Sequence, residues 1–259
     1  FYDDAGAIRD MVQNHMLQLL ALVAMEPPSS YDATAIRDEK VKVLRTLRLV
    51  APDETVTGQY RAGAILGQPV PGYDEELGQP SDTETFVAIK AHLDNWRWKG
   101  VPFYLRTGKR MASKLSEVVI SFKPQPHNIF HATYSHLPAN KLIIRLQPDE
   151  GVEIQVLNKI PGLGEHMRLQ ESKLDLSFDE TFKSQRIADA YERLLLEAML
   201  GNQYLFVRRD EVEHAWKWVD GILNAWKTSN EPPKTYQAGS WGPVAAISML
   251  ARDERNWEE

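Results

Sequence analysis

The hydrophobic periodicity of this chain changes from helical to strand-like and then back again. Between residues 83 and 178, apolar and polar side chains alternate in several segments, which is the pattern of half-buried strands. The segments are 87–93, 103–106, 118–122, 141–146, 152–156 and 169–178. Because no helical segment separates them, they predict a largely antiparallel sheet rather than βαβ units. The chain is therefore predicted to be α+β, with one large, mostly antiparallel sheet and helices packed on one face.

The first helix is predicted to run to about Met25, where Pro27 and Pro28 end it. Its apolar residues recur at spacings of three and four, which indicates one buried stripe. The stripe consists of Ile8, Met11, Val12, Met16, Leu19, Leu20 and Val23. His15 falls inside it.

Local signals predict three further helices and a loop. A second helix starts at a cap formed by Ser30 or Asp32 and ends at Pro52. Residues 51–82 are rich in glycine and proline, which predicts a long surface loop. Helices over 187–198 and 212–226 each carry one apolar stripe, which predicts simple core packing.

Composition excludes several classes of protein. The chain has 259 residues, 43% of them hydrophobic, and we predict a single domain over 1–259. A net charge of -6 argues against a general nucleic-acid binder. There is no cysteine, which excludes disulfides and thiolate chemistry and favours the cytoplasm. No run of about 18 apolar residues occurs, so no membrane partner is predicted.

The first helix carries a polar cluster formed by Asp10, Gln13, Asn14 and His15. At about 100° per residue, Asp10 and His15 are expected to lie roughly 140° apart around the helix axis. A ligand touching both would have to lie across the helix. Two interpretations are open for His15: a buried histidine hydrogen-bonded within the core, or a catalytic base.

A second cluster is basic and follows the predicted strand 103–106. Arg106, Lys109, Arg110 and Lys114 lie close to Gly108, which suits an anion site but also a solvated basic turn. His127 and His131 have the spacing of metal ligands on a helix. Prolines nearby make a helix improbable, and no carboxylate or thiolate completes a site, so no metal is predicted.

Several segments together resemble glucose-6-phosphate dehydrogenase, in the form of the bacterial enzyme's C-terminal domain. They are Asp3–Glu26, Ile36–Val41, Asp94–Trp98, Val101–Lys109, Ile144–Pro148 and Asp189–Leu195. The resemblance covers essentially the entire chain. It implies oxidation of glucose 6-phosphate at C1 to 6-phosphoglucono-1,5-lactone with hydride transfer to NADP, the first step of the pentose phosphate pathway. It also implies a homodimer or homotetramer that associates through the sheet.

The resemblance assigns roles to five residues. His15 matches the general base that takes the C1 hydroxyl proton, a role suited to an imidazole because it titrates near neutral pH. Asp10 matches an acid that hydrogen-bonds the sugar, and Lys109 and Lys114 match cationic groups that hold the substrate. Gln147 matches a further polar contact.

The family's N-terminal Rossmann domain, which holds most of the NADP site, has no counterpart in these residues. The chain also begins without an initiating methionine, so we expect it to be part of a longer protein and to be inactive alone. The alternative is an oligomerisation module that binds no ligand measurably.

The human-type enzyme has a second, structural NADP site in this domain. Arg106 and Arg145 match two of its positions. Other ligand positions differ, and they are Leu115, Val119, Glu153 and Trp241. No structural NADP is therefore expected.

Overall fold

The structure is a computed structural model that describes residues 1–162, 168–183, 186 and 188–258. The chain divides into two compact units. The first comprises residues 1–113 and 190–257, and the second comprises Lys114–Asp189 and Glu258. The predicted α+β class with antiparallel sheets is confirmed, whereas the single domain over 1–259 stays a prediction.

Most helices of the described chain belong to the first unit. They are α1 (Tyr2–Ala7), a π-helix (Ile8–Met16), α2 (Leu17–Ala24), α3 (Ala33–Arg45), α4 (Tyr73–Leu77), α6 (Ala190–Leu200), α7 (Arg209–Ser229) and α8 (Val244–Ala251), with a short 3-10 helix at Pro52–Glu54. Its strands are β1 (Thr55–Arg61), β2 (Gly63–Ile65), β3 (Gln68–Val70), β4 (Phe86–His92), β5 (Pro102–Gly108) and β10 (Lys234–Gln237). The predicted end of the first helix near Met25 is confirmed.

Strand β4 is the centre of the first unit. The sheet order is β10-β1-β4-β5, with β4 antiparallel to both neighbours and β10 parallel to β1. Alternate β4 side chains enter two apolar clusters: Val87 and Ile89 pack with the first helices, α3 and α7, and Phe86 packs with Tyr236 and α8. Burial on both faces explains why β4 is apolar at nearly every position.

The prediction of a long surface loop over 51–82 was wrong. Strand β1 lies inside the main sheet, where Thr55–Gly58 pairs with β4, and β2 and β3 form a small hairpin. Glycine and proline are common here because the chain turns often between short elements. Tertiary pairing with β4 outweighs the weak local strand signal.

The remaining helix predictions had mixed outcomes. Asp32 is the N-cap of α3, since its carboxylate accepts hydrogen bonds from the Thr34 and Ala35 amides. Of the stripe predicted for α7, Ala215, Val219 and Ile222 are buried as expected, whereas Val212 is exposed and the buried tryptophan is Trp218 rather than the predicted Trp216. Ile187, assigned to the stripe of the preceding helix, lies outside the described residues.

Core packing of α6 was a wrong prediction. Among its side chains only Glu197 is buried, while its apolar residues are largely exposed in this chain: Tyr191, Leu195, Leu196, Met199 and Leu200. An apolar stripe in the sequence indicates that one face of a helix is suited to burial. It does not identify what covers that face.

The second unit is built on an antiparallel sheet of order β6-β7-β8-β9. Its strands are β6 (Ser116–Ser121), β7 (Lys141–Gln147), β8 (Gly151–Lys159) and β9 (Leu169–Ser177), followed by the short helix α5 (Phe178–Thr181). All strands predicted over these residues are confirmed. Among the described helices of the chain, none combines the length and apolarity needed to cross a membrane.

Candidate functional site

The helix that carries Asp10 and His15 is a π-helix over Ile8–Met16, where backbone hydrogen bonds join residues five apart. One of these bonds runs from the Leu17 amide to the Val12 carbonyl. The buried positions follow this geometry. They are Ile8, Val12, Leu17, Leu20, Ala21 and Ala24, with a step of five in the middle.

This step of five corrects two expectations about the polar cluster. His15 is exposed rather than buried within the apolar stripe, so the interpretation as a core histidine was wrong. The predicted angle of roughly 140° between Asp10 and His15 was also wrong, because hydrogen bonds between residues five apart put more residues into each turn than an α-helix has, which brings the two side chains closer together around the axis. Asp10, which is half-buried, and His15 therefore lie on the same side of the helix.

The helix begins at a sharp change of backbone direction. Gly6 has φ 71° and ψ 173°, a conformation that favours glycine. Beyond it, the Ala7 amide donates to the Glu84 carbonyl at 3.0 Å, and the Ile8 amide donates to Glu84 Oε1 at 3.1 Å. Burial raises the pKa of Glu84 above its ordinary value. Glu84 thus caps, from a distant part of the chain, the helix that carries the candidate base.

Lys109 follows the last residue of β5 and is fixed through its backbone. Its amide donates to the Thr85 carbonyl at 2.8 Å, and its carbonyl accepts from the Tyr236 hydroxyl at 2.7 Å. Its ammonium Nζ lies 4.5 Å from the centroid of the Tyr2 ring. Within the described part of the chain, no ion pair of Lys109 is found.

The other cations of the predicted basic turn have different partners. Arg110, at φ 52°, pairs with Glu76. The Arg106 guanidinium lies 5.0 Å from the Trp241 ring centroid and 4.5 Å from that of Trp257. The turn is therefore not a uniform basic patch, since Arg106 is stacked and Arg110 is neutralised, while Lys109 presents its charge beside a neutral ring.

Tyr2 brings Asp10 and Lys109 into one neighbourhood. Its hydroxyl is buried and has no hydrogen-bond partner among the described residues. Burial raises the pKa of Tyr2, and nearby groups that include Glu84 and Asp10 raise it further. The tyrosine stays neutral under ordinary conditions, so its ring face can hold the Lys109 ammonium by a cation–π interaction.

The two other predicted site residues belong to the second unit. Lys114 is exposed and lies two residues before β6. Gln147 is the last residue of β7, where it pairs with Ser116 across the sheet. These two polar side chains therefore lie at the same end of the β6–β7 pair.

The second unit also contains an arginine whose charge is already neutralised. Arg145 forms ion pairs with Asp175 at 2.5 Å and Glu153 at 3.3 Å. The hydrogen bonds that Arg145 donates to the Asp175 carboxylate raise the pKa of Arg145 above its ordinary value. Glu153 is additionally held by Lys173 at 3.0 Å. Arg145 is thus engaged by carboxylates rather than presented to an anionic ligand.

The histidines with metal-ligand spacing lie outside any helix. His131 contacts the Asn128 carbonyl through Nδ1 at 3.2 Å. Throughout the described residues there is no group of three or more His, Asp or Glu side chains that could hold a metal ion.

Two residues of this neighbourhood, Tyr2 and Glu84, were not predicted from the sequence. Glu84 lies immediately before the buried segment of Thr85 and β4, and an acid beside so apolar a run was a signal that could have found it. Tyr2 had no such signal, because its role depends on Lys109 approaching from a segment more than a hundred residues away.

Comparison with known proteins gives one consistent match. The model of the family described as glucose-6-phosphate dehydrogenase, C-terminal domain, matches residues 1–258. Glucose-6-phosphate 1-dehydrogenase of Dickeya dadantii is 62% identical over 100% of this chain and 54% of its own length. That of Rhizobium meliloti is 58% identical over 100% of this chain and 53% of its own length. The chain therefore spans about half the length of the curated relatives it matches.

Two solved structures are also similar. One is a glucose-6-phosphate dehydrogenase in complex with its substrate glucose-6-phosphate, with a TM-score of 0.88, 36% identity, and coverage of 100% of this chain and 52% of that chain. The other is glucose-6-phosphate 1-dehydrogenase from Mycobacterium avium, with a TM-score of 0.83, 36% identity and the same coverage.

Proposed function

The chain belongs to the glucose-6-phosphate dehydrogenase C-terminal domain family, and on this basis we propose that it is the substrate-binding and catalytic-base part of a glucose-6-phosphate dehydrogenase. The reaction is oxidation of glucose 6-phosphate at C1 to 6-phosphoglucono-1,5-lactone. The hydride from C1 goes to NADP, which we assign mainly to a part of the enzyme outside this chain.

The proposed roles follow from what each side chain can do. The His15 imidazole accepts the proton of the C1 hydroxyl while the C1–H bond breaks and its electron pair leaves as hydride. The C1–O bond then becomes the carbonyl of the lactone. Asp10 accepts a hydrogen bond from a sugar hydroxyl, and Lys109 and Lys114 hold the phosphate through their charges. Gln147 adds a polar contact.

The observation that carries the proposal is the π-helix of residues 8–16. Its wider turn presents Asp10 and His15 on the same side, and His15 is exposed, as a base acting on a substrate must be. Lys109, on another element, reaches the same neighbourhood through Tyr2. An acid, a base and a cation that pairs with no carboxylate among the described residues are a suitable set for a phosphorylated sugar.

The test is a chimera in which this chain replaces the matching part of the Dickeya dadantii relative, with which it is 62% identical. We expect the chimera to reduce NADP with glucose 6-phosphate and not with glucose, and the chain alone to be inactive. A folded chimera without turnover, compared with an active complete relative in the same assay, would refute the proposed function.

For NADP as a structural ligand, the residues present do not fit. Arg145 is committed to Glu153 and Asp175, and Arg106 is stacked against Trp241 and Trp257. Both arginines have partners within the chain, so we propose that this domain holds no structural NADP. We also propose that it uses no metal.

We further propose that the enzyme is a homodimer or homotetramer that associates through the sheet of the second unit. One face of that sheet is apolar across the neighbouring strands β7, β8 and β9 and is formed by the cross-strand sets Leu142, Ile154 and Leu174 and Ile144, Val152 and Leu176. Leu174 is 62% exposed and Leu176 is 48% exposed in the single chain. Such a face favours pairing with another protein surface. We place the enzyme in the cytoplasm, which the lack of cysteine supports.

A further inference from the structure

We propose that Glu84 is a positioning residue, and that the dipeptide Glu84-Thr85 sets the position of the candidate base relative to the phosphate-binding lysine. This inference rests on the proposed function of His15, Asp10 and Lys109. It concerns residues that contact neither the sugar nor the phosphate in that proposal.

The first observation is that each of the two consecutive residues holds one half of the site. Glu84 receives the Ala7 and Ile8 amides at the start of the helix that carries Asp10 and His15. Thr85 receives the Lys109 amide through its carbonyl. The helix and the lysine are therefore attached to the same short piece of backbone.

Thr85 is itself fixed in the core. It is fully buried, and its hydroxyl contacts the Tyr60 amide at 3.1 Å and the Tyr236 hydroxyl at 3.1 Å. The Tyr236 hydroxyl also donates to the Lys109 carbonyl at 2.7 Å. The dipeptide Glu84-Thr85, which we call the junction, is thus held by several hydrogen bonds to buried groups and has little freedom to move.

The Glu84 side chain is the part of this junction that contacts the start of the helix. Gly6 has no side chain, and a methyl group there would overlap the Glu84 carboxylate. The carboxylate therefore occupies the space directly beneath the first turn of the helix. An acceptor with negative charge at a helix N-terminus satisfies a free amide and interacts favourably with the helix dipole.

Loss of the Glu84 side chain should affect the catalytic base and not the phosphate-binding lysine. Without the Glu84 acceptor, the helix start loses its side-chain cap, but Lys109 keeps its own attachment to Thr85 and Tyr236. The base is displaced while the phosphate site is retained. Since displacement of a reacting group by about 1 Å can cost on the order of 100-fold in rate, kcat should change more than KM.

The experiment compares Glu84→Ala, which removes the acceptor, with Glu84→Gln, which retains it, in the chimera described above. We expect Glu84→Ala to lower kcat on the order of 10- to 100-fold with less than about a threefold change in KM for glucose 6-phosphate. Glu84→Gln should recover most of kcat. A general loss of structure would instead lower the folded fraction in a thermal melt and would move KM as well.

A second measurement on the same proteins does not depend on turnover. Hydrogen exchange at the Ile8 amide should become at least about tenfold faster in Glu84→Ala and stay close to wild type in Glu84→Gln. The Lys109 amide should be unchanged in both variants. If exchange at the Ile8 amide is unchanged in Glu84→Ala, the proposed role of Glu84 in fixing the helix is wrong, even if the enzyme proves inactive. If exchange changes but kcat stays at the wild-type value, the junction does not position the base for catalysis.

Discussion

The Lys109 ammonium lies 4.5 Å from the centre of the Tyr2 ring. A cation held by an aromatic face keeps its hydrogen-bond donors available to an anion, whereas one paired with a carboxylate does not. The next residue, Arg110, is in the second situation because it pairs with Glu76. Of these two neighbouring cations, Lys109 is therefore available to an anionic ligand, whereas Arg110 is already paired.

Substitution of these two cations should therefore have unequal effects. In the chimera, Lys109→Gln should raise KM for glucose 6-phosphate on the order of tenfold or more, because a charged contact to phosphate is lost. Arg110→Gln is the matched control and should change KM less than about twofold, since an exposed ion pair contributes little. Steady-state kinetics at two salt concentrations tests this. Equal effects of the two substitutions would contradict it.

His15→Asn should lower kcat by about 10² to 10⁴ with little change in KM, because general-base catalysis is lost while the phosphate contacts remain. His127→Asn, an exposed histidine of the second unit, is the control and should leave kcat unchanged. A His15→Asn variant with wild-type turnover would remove His15 from the mechanism.

Glu84 predicts a pH dependence of stability. Its pKa is raised in the folded state above the ordinary value of 4.5, so the folded state binds more protons than the unfolded state between the two values. The stabilisation is complete below about pH 4.5 and is lost as the pH rises through the folded pKa. Glu84→Gln should therefore gain stability relative to wild type as the pH increases from 4.5 to 8 in urea unfolding.

Asp253→Asn provides the control for that experiment. Lys90 and Tyr104 lower the pKa of Asp253 below its ordinary value, so its carboxylate is charged in both states above about pH 4.5. The difference between Asp253→Asn and wild type should accordingly stay constant from pH 4.5 to 8. A constant difference for Glu84→Gln as well would be inconsistent with a raised Glu84 pKa.

The apolar face of the second sheet predicts an oligomer that one charge can weaken. Leu174→Asp should shift the sedimentation profile of the chain towards monomer, because a carboxylate would be buried in the interface. Glu171→Lys changes a charge on the opposite face of the same strand and should leave the profile unchanged. If only the second substitution dissociates the oligomer, the wrong face has been assigned.

Calorimetry with NADP and the chain alone should give no saturable heat. The expected reason is the engagement of Arg145 by Glu153 and Asp175 and the stacking of Arg106. Tight binding of NADP to the chain would show that these contacts open for the nucleotide.

Much of the fold was predictable because it is encoded over short distances. Alternation of apolar and polar residues located the strands of the second unit as well as β4 and β5. Strand β1 was missed, since its pairing partner Phe86–Ile89 lies about thirty residues away and no local turn signal announces it. The exposed face of α6 was missed for a related reason, because periodicity does not identify a partner.

The candidate site was predictable only in part. Asp10, His15 and Lys109 were identified from a polar cluster, a basic turn and a family resemblance. Their geometry was not, because a regular helix was assumed where the chain forms a π-helix. Whether a helix takes an extra residue in one turn depends on the packing of Val12 and Leu17 into the core, which is not a local property.

The sequence alone determined the α+β class, the positions of strands β4 to β9 and the residue types available for proton transfer and anion binding. Only the tertiary structure decided that His15 is exposed, that Glu84 caps its helix from 76 residues away, and that Lys109 rather than Arg110 is available to an anion. The physical reason is that hydrophobic periodicity acts between near neighbours in the chain, whereas exposure, capping and charge pairing depend on segments that meet only when the chain folds.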